Sequence, residues 1–162
     1  MNITGRLTGA PDALADVELS LTSFTAMMTE SDVTLSCACP EVAFSDALNL
    51  RSNGSLQILV DGSVWVEAPV SLVSTKHSLI DISGYDPAYT NGAPGVKGFD
   101  GSAIYRSSTT TTGSSAERRR IPFDNDIFPG DTIQIDGAGF LVKTLTAYYH
   151  GDAPLIDLTG EL

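Results

Sequence analysis

Hydrophobic and polar residues alternate along most of the chain with a period of two residues, not 3.6. This alternation is typical of β-strands that bury one face. It predicts single strands at Val17–Phe24, Val33–Cys37 and Leu155–Leu158. A further pair, Ser71–Ser74 and Ser78–Ser83, is interrupted near a Lys-His dipeptide. The pattern therefore predicts a mainly β protein.

Two Asp-Gly dipeptides follow alternating segments and predict two-residue β-hairpins. Asp61-Gly62 follows the strand Leu56–Val60, and the returning strand begins at Ser63. Asp136-Gly137 follows a strand that begins at Asp131, and Gly139–Leu145 returns. Each half of the chain thus carries one Asp-Gly hairpin, but no simple sequence repeat relates the halves.

Three segments depart from the alternation. Glu41–Arg51 follows a proline and places its apolar residues along one face, which predicts one or two turns of helix. Gly84–Gly101 is rich in Gly, Pro, Asn and Asp, and a loop of this length is usually functional or disordered. Tyr105–Ser115 is rich in Ser and Thr and fits a polar edge strand or a disordered arm.

These breaks divide the chain into three predicted parts. Residues 1–84 form an N-terminal β lobe, 85–117 a Gly/Pro- and Ser/Thr-rich loop or arm, and 118–162 a C-terminal β lobe. The expected fold is mainly β, with two small β-barrel- or sandwich-like lobes and one short helix. The two lobes either share one core or stand apart.

The composition narrows the partners that this chain can have. Charged residues make up 18% of the chain, below the roughly 25% typical of soluble domains, and interface cores are depleted of charge. A net charge of −11 repels phosphate backbones, so no nucleic acid partner is expected. No apolar run approaches the roughly 20 residues of a spanning helix, and residues 1–10 lack a signal-peptide core. We therefore expect no membrane insertion and a protein made in the cytoplasm.

One local basic cluster stands out on this acidic chain: Arg106, Arg118, Arg119 and Arg120 supply four of its nine bases. Three adjacent arginines in a strand alternate between its faces. Bidentate pairing of the outer two with carboxylates of a neighbouring chain is the preferred interpretation. Internal pairing with Asp124 or Asp126 is the second, and a nucleic acid contact is the least favoured.

The sequence predicts no catalytic, cofactor or metal site. Cys37 and Cys39 lie two residues apart, where a disulfide would be strained. No second pair of ligands accompanies them, so structural thiols are preferred over a metal or redox site.

Three acids, Asp124, Asp126 and Asp131, are candidates for metal binding or catalysis. Asp124-Asn-Asp126 resembles the start of a calcium loop, but Ile127 and Phe128 stand where a glycine and further oxygen ligands belong. Asp124 and Asp131 would suit glycoside hydrolysis only if they faced each other across a cleft. Solvated turn carboxylates are the preferred interpretation, and we expect a protein that is not an enzyme.

Aromatic residues near the long loop allow a second function class. Trp65, Tyr85, Tyr89 and Tyr105 would suit a carbohydrate- or surface-binding β module, since aromatic rings form platforms for sugars. Packing in the core or anchoring of the loop is the more common role of such residues.

Two stretches together resemble the tail-hub and baseplate proteins of long-tailed bacteriophages. The first runs from a strand with Ser23-Phe24 to a strand ending in Pro40, then through Ala47–Ile58. The second runs from Arg118 through a Pro-Gly-Asp-Thr turn at residues 129–132 into a closing hairpin. In that turn, proline restricts φ, glycine supplies a positive φ, and Asp131 is placed to accept backbone hydrogen bonds.

The resemblance implies a virion structural protein without catalytic activity or cofactor. Its expected partners are further copies of itself, as a trimer or hexamer ringed around a tail axis, and other tail or baseplate proteins. The chain is shorter than most hub proteins, so a smaller baseplate or tail-completion protein is equally compatible. The expected interchain contacts are Tyr85, Tyr89 and the basic stretch Arg106–Arg120.

Overall fold

A computed structural model describes residues 1–9, 16–40 and 54–162 of the chain. These residues form thirteen strands: β1 Ile3–Thr8, β2 Val17–Leu19, β3 Ser23–Met28, β4 Val33–Pro40, β5 Ser55–Val60, β6 Ser63–Lys76, β7 Leu79–Asp86, β8 Val96–Gly101, β9 Tyr105–Thr111, β10 Ser114–Pro122, β11 Thr132–Ile135, β12 Ala138–Tyr149 and β13 Leu155–Glu161. No helix occurs in these residues, and the helix predicted at 41–51 lies outside them. The prediction of a mainly β fold is confirmed.

Both predicted Asp-Gly hairpins are present. Asp61 and Gly62 have φ values of 49° and 84°, and Asp136 and Gly137 have φ values of 54° and 79°. Two consecutive positive φ values characterise the type I′ turn, whose twist matches the twist of paired strands. The turns join β5 to β6 and β11 to β12. Short-range turn chemistry therefore determines these two hairpins.

The predicted single strand Val17–Phe24 is wrong, because the chain there forms two strands with different neighbours. β2 pairs with β1, whereas β3 pairs with β4 and β12. Thr22 lies between them and donates its backbone N–H to the carbonyl oxygen of Ala38 at 2.8 Å. Alternation records which face is buried and does not record which strand lies alongside.

The segment expected as a long loop is largely paired. β7 extends to Asp86, and β8 occupies Val96–Gly101, which leaves only residues 87–95 between the two strands. The Ser/Thr-rich segment forms the hairpin of β9 and β10, so the edge-strand interpretation is confirmed over the disordered arm. Whether residues 85–117 form a domain boundary stays a prediction.

All thirteen strands belong to one sheet, in the order β2-β1-β5-β6-β7-β4-β3-β12-β13-β10-β9, with β11 and β8 paired beside β12. Every pairing is antiparallel except that of β8 with β11. A closed barrel requires its first and last strands to pair. No described pairing closes the sheet, so the predicted barrel lobes are wrong. One continuous hydrophobic cluster packs against the inner face of the sheet.

The strand order contains the same six-strand unit twice. Unit 1 has the order β1-β5-β6-β7-β4-β3, and unit 2 has the order β8-β11-β12-β13-β10-β9. In each unit an Asp-Gly hairpin forms the second and third strands of this order, and its second strand then pairs with the following strand of the chain. The units differ where β1 runs antiparallel to β5 and β8 runs parallel to β11.

Equivalent positions of the two units share details of backbone and sequence. The long strands β6 and β12 each contain a register shift, at Val70/Leu72 and at Val142/Thr144. A glycine faces each shift, Gly84 in β7 and Gly160 in β13. Each unit also has a proline paired with a leucine, Pro40 with Leu79 and Pro122 with Leu155. The internal repeat, which is not visible in the sequence, is therefore evident in the strand pairing.

The two units join where β3 of unit 1 pairs with β12 of unit 2. An aromatic cluster packs beneath this junction. Phe24 lies 6.4 Å from Trp65, 6.5 Å from Phe123 and 6.3 Å from Tyr149, measured between ring centroids. Because these rings come from both units, the junction is part of the common core.

Candidate functional site

The predicted contact arginines lie at the β9 end of the sheet. Arg118, Arg119 and Arg120 are consecutive in β10, so their side chains alternate between its faces. Arg119 is buried on the core side, Arg118 is exposed, and Arg120 is half-buried. Arg106 in β9 stands directly opposite Arg119. The structure thus brings the four arginines together but gives them different surroundings.

Arg120 is held in place within the chain. Its Nε and Nη2 atoms donate to the two carboxylate oxygens of Asp157, at 2.7 and 3.1 Å. The guanidinium lies 5.7 Å from the ring centroids of both Tyr105 and Tyr148. The hydrogen bond to Asp157 raises the pKa of Arg120. Its internal partner is therefore a carboxylate on the neighbouring strand, and not Asp124 or Asp126.

Arg119 is also paired internally. Its Nη1 donates to Glu117 Oε2 at 2.8 Å and to the carbonyl oxygen of Arg118 at 2.9 Å. The guanidinium lies 5.7 Å from the centroid of the buried Phe140 ring. A buried arginine satisfied in this way is unavailable to a partner unless its own ion pair breaks.

Arg106 and Arg118 remain accessible. The Arg106 side chain is 71% exposed and approaches Asp136 only to 3.7 Å. No acid of the described residues lies within ion-pair distance of Arg118. An interchain contact through these two arginines stays a prediction that their exposure permits.

The two predicted contact tyrosines differ in exposure. Tyr85 lies in β7 and is 44% exposed. Tyr89 follows β7 and packs against the hydrophobic cluster. Burial and the Asp86 carboxylate raise the pKa of Tyr89. Tyr85 is therefore available at the surface, whereas Tyr89 mainly anchors the segment after β7.

A row of directly opposite residues connects Tyr85 with the arginine cluster. It crosses seven strands in the order Tyr85, Thr34, Met27, Thr146, Asp157, Arg120, Tyr105. At a strand spacing of about 4.8 Å, the row spans about 29 Å. Opposite residues share a face, so Tyr85 and Arg120 lie on one outer face of the sheet, which we define by this row. Arg106 and Arg119, which stand opposite each other, lie on the other face.

Hydroxyl-bearing residues dominate the outer face around this row. Thr25, Ser36, Thr144 and Thr159 lie on it in the neighbouring rows. Met27 within the row is 54% exposed. The Arg120–Asp157 pair neutralises itself, so the face carries little net charge. Low charge and exposed Met and Tyr side chains are typical of interface cores.

The sheet also leaves backbone edges open, which the alternation pattern could not indicate. No strand of the described residues pairs with the outer edge of β9. β6 pairs with β5 as far as Pro69 and with β7 from Val70 onward. Val70 still donates its backbone N–H to the carbonyl oxygen of Gly54 at 2.9 Å, so among the described residues the edge of β6 on the β5 side is unpaired only beyond Val70. Such edges accept a further strand by backbone hydrogen bonding.

The Pro-Gly-Asp turn has the predicted structural role. Gly130 has a φ of 95°, and Asp131 is 2% exposed. Asp131 accepts the backbone N–H of Gly95 at 3.0 Å and of Phe128 at 2.9 Å. Lys97 Nζ lies 3.8 Å from the same carboxylate. Asp131 therefore anchors the segment before β8 to the start of β11.

The remaining candidate residues have contacts typical of structural roles. Asp124 accepts the backbone N–H of Asp126 at 2.9 Å within its own turn. Cys37 and Cys39 are buried free thiols. The contact with Cys39 and burial raise the pKa of Cys37, which lowers its thiolate fraction. Within the described ranges, no three His, Cys, Asp or Glu side chains are grouped to hold a metal ion.

Trp65 is 7% exposed and packs edge-on against Phe123, at a centroid distance of 4.9 Å. It belongs to the aromatic cluster beneath the unit junction and offers no face to a sugar. This is the core-packing role that the sequence left open for it. Across the part of the chain that the structure describes, no helix is long and apolar enough to cross a membrane.

Comparison with solved structures identifies the fold. The chain is similar to the 43 kDa tail protein of prophage MuSo2 from Shewanella oneidensis, with a TM-score of 0.62 and 6% identity over 99% of this chain and 98% of the other. It is also similar to a tail protein from Neisseria meningitidis, with a TM-score of 0.65 and 7% identity over 98% and 95% of the two chains. The chain has the fold of phage tail proteins.

A third structure extends this likeness. The E. coli c3393 protein, a type VI secretion component described as similar to the T4 tail proteins gp27 and gp5, aligns with a TM-score of 0.62 and 6% identity. The alignment covers 96% of this chain and 76% of the other. No family model matches the chain, and no curated protein matches it in sequence. The resemblance inferred from sequence motifs is thus confirmed at the level of structure neighbours.

Proposed function

We propose that this chain is a structural subunit of a phage tail or baseplate, which forms or joins a ring around the tail axis. The observation that carries the proposal is the shared fold with solved tail proteins over nearly the whole chain. Fold alone does not determine function. The proposal therefore also depends on surfaces of this chain that are suited to assembly.

Two features of the chain support an assembly role. The outer face from Tyr85 to Tyr105 is wide and low in charge, and it ends beside the exposed Arg118. The outer edges of β9 and of the second half of β6 are open among the described residues. In this proposal, Tyr85, Arg106 and Arg118 contact neighbouring chains. Tyr89, Arg119 and Arg120 hold that surface in position through their internal contacts.

The proposed partners are further copies of the chain, in a trimer or hexamer, together with other tail or baseplate proteins. The proposed location is the virion, after synthesis in the host cytoplasm. The proposal assigns no catalytic step and no cofactor. Carbohydrate binding is not favoured, because Trp65 is enclosed in the core and Tyr105 lies against Arg120.

Native mass spectrometry and negative-stain electron microscopy of the purified chain test this proposal. We expect a discrete oligomer of three or six copies and particles with a central opening. A double substitution of Arg106 and Arg118 by Glu should reduce the oligomer, whereas Lys143→Glu, at an exposed position of β12, should not. A chain that is strictly monomeric and joins no tail particle would contradict the proposal.

A further inference from the structure

Residues 87–104 connect β7 of unit 1 to β9 of unit 2 and contain β8, and we call this segment the strap. Two aspartates hold its ends beside β11. Before β8, Gly95 donates its backbone N–H to Asp131 Oδ1 at 3.0 Å. After β8, Ala103 donates its backbone N–H to Asp136 Oδ1 at 3.1 Å. Since Asp131 directly precedes β11 and Asp136 directly follows it, the strap is fixed at both ends of one strand.

Between these two ends, β8 itself is weakly held. Among the described strands it pairs with β11 alone, in parallel and with a register shift. Parallel pairing is slightly less stable per residue than antiparallel pairing. Val96 is 83% exposed, and of the six residues of β8, all of them described, only Phe99 packs against the hydrophobic cluster. A strand with so few buried contacts belongs to the part of a fold that opens most easily.

The internal repeat shows that this position can be held much more firmly. β1 has the same place in unit 1, next to β5 as β8 is next to β11. It pairs antiparallel with β5 over six residues without a register shift, and its other edge is covered by β2. Leu7 of β1 is 1% exposed. The weak attachment of β8 is therefore a property of unit 2 and not of the repeated fold.

The end of the strap is connected to residues of the proposed contact surface. The carboxylate that holds Ala103 also lies 3.7 Å from Arg106, measured from Asp136 Oδ2 to Arg106 Nη1. Ile104, the next residue, donates its backbone N–H to the carbonyl oxygen of Arg120 at 2.8 Å. The position of the strap therefore determines where β9 begins and what surrounds Arg106.

We propose that the strap is a conformational switch, which opens and closes as one unit while the rest of the sheet stays folded. Asp131 keeps it closed, because its two carboxylate oxygens accept the backbone N–H groups of Gly95 and Phe128. Only the closed strap positions the start of β9 for contacts with other chains. Its part in assembly rests on the proposed function, whereas the opening does not.

Hydrogen exchange of the whole chain, followed by mass spectrometry, tests the opening. Asp131→Asn replaces one of two acceptor oxygens by an NH2 group, which is a donor, so Gly95 or Phe128 loses its partner. The amides of residues 95–104 should then exchange about 10–100 times faster than in the unsubstituted chain, whereas the rates in β12 should not change.

Asp136→Asn is the matched control. It removes the same charge, but its single side-chain oxygen can still accept the N–H of Ala103, and asparagine tolerates the φ of 54° at this position. Exchange in residues 95–104 should therefore change by less than about threefold. Equal acceleration by Asp131→Asn and Asp136→Asn, or no acceleration by either, would overturn the opening.

A disulfide that locks the strap tests the same opening without Asp131→Asn. Val96 and Thr132 stand directly opposite each other in β8 and β11, and neither is buried. Neighbouring strands lie about 4.8 Å apart, within the Cα separation that a disulfide spans. In a chain with Val96→Cys and Thr132→Cys, oxidation should slow exchange in residues 95–104 at least about tenfold relative to the reduced form. Equal rates in the two forms would also overturn the opening.

Native mass spectrometry near the concentration of half-assembly tests the link to assembly. Asp131→Asn should lower the oligomer at least about twofold, because fewer chains are in the closed state. Oxidation of the added cysteines should restore the oligomer in the same chain, and reduction should reverse this rescue. An oligomer unchanged by Asp131→Asn, or one that the disulfide fails to restore, would overturn the role in assembly. If the unsubstituted chain forms no oligomer and joins no tail particle, the proposed function fails, and the exchange rates still decide whether the strap opens.

Discussion

Strands β3 and β9 occupy the same place in the two units but differ in what covers them. β3 lies between β4 and β12, and Phe24, Ala26 and Met28 on its inner side are at most 1% exposed. The equivalent positions on β9 hold Arg106, Ser108 and Thr110, all of them exposed. β3 forms an apolar junction, whereas β9 is polar and pairs with no further strand among the described residues.

In the proposed assembly, this difference separates the contacts that fold the chain from the contacts that join it to other chains. The β3 junction forms within one chain, so it can be apolar without exposing hydrophobic surface to other molecules. An apolar β9 would expose an edge and an apolar strip before any partner arrived, which is an aggregation hazard. In the proposed assembly, a polar β9 avoids this hazard and leaves backbone hydrogen bonding as the means of contact.

The largest expected effect is at Phe24. Phe24→Ala removes a side chain that is 1% exposed and contacts three other rings, so it should lower the free energy of unfolding by about 3–5 kcal/mol. Arg106→Ala, at the equivalent position of β9, should change it by less than about 0.5 kcal/mol. Urea denaturation followed by tryptophan fluorescence measures both. Similar losses at the two positions would contradict the proposed division of roles.

A smaller effect is expected at the two glycines that face the register shifts. A Cβ at Gly160 would overlap the carbonyl oxygen of Leu141 and lie 2.8 Å from the Phe140 ring, so the backbone must move. A Cβ at Gly84 would lie 3.1 Å from the carbonyl oxygen of Pro69, which needs a shift of only a few tenths of an ångström. Gly160→Ala should therefore cost about 3 kcal/mol and Gly84→Ala about 1 kcal/mol.

Thermal unfolding by circular dichroism compares the two glycine variants at equal concentration. Both variants should keep the β-sheet circular dichroism spectrum at low temperature, because each substitution changes the packing at only one register shift. A Gly84→Ala variant that is less stable than Gly160→Ala would show that the two units are not packed alike at their shifts. That result would limit the structural equivalence to strand order.

Local sequence signals predicted much of the fold, because turn chemistry and alternation act over a few residues. The Asp61-Gly62 and Asp136-Gly137 hairpins and the role of Asp131 followed from such signals. The split between β2 and β3 did not, because both strands bury the same kind of residue while pairing with different neighbours. Strand order depends on contacts between residues far apart in the chain, which one sequence does not record.

The residues of the candidate site were predictable from the sequence, but the partners with which they pair were not. Clustering of Arg106 and Arg118–Arg120 was visible in the sequence, and so was their alternation between faces. The partner of Arg120 was not, since Asp157 reaches it only because β13 pairs with β10. The internal repeat is not visible in the sequence, because equivalent positions, such as Phe24 and Arg106, share a place in the sheet but differ in chemical type.

The smallest expected effect concerns two aspartates that occupy equivalent positions in the two units. Asp157 and Asp81 are equivalent, but Asp157 stands opposite Arg120 whereas Asp81 stands opposite Ala38. Because the Arg120–Asp157 pair is partly exposed, Asp157→Asn should cost about 0.5–1 kcal/mol of unfolding free energy. Among the described side chains Asp81 has no such pair, so Asp81→Asn should change stability by less than about 0.5 kcal/mol.

A double-mutant cycle isolates the ion pair in this last comparison. With Arg120→Met in the background, Asp157→Asn should become as mild as Asp81→Asn, because the charge interaction has already been removed. Added salt should narrow the difference between Asp157→Asn and Asp81→Asn, since screening weakens partly exposed pairs. A loss at Asp157 that persists in the Arg120→Met background would mean that its carboxylate stabilises β13 through another group. In that case Tyr148, on the same outer face, is the next side chain to change.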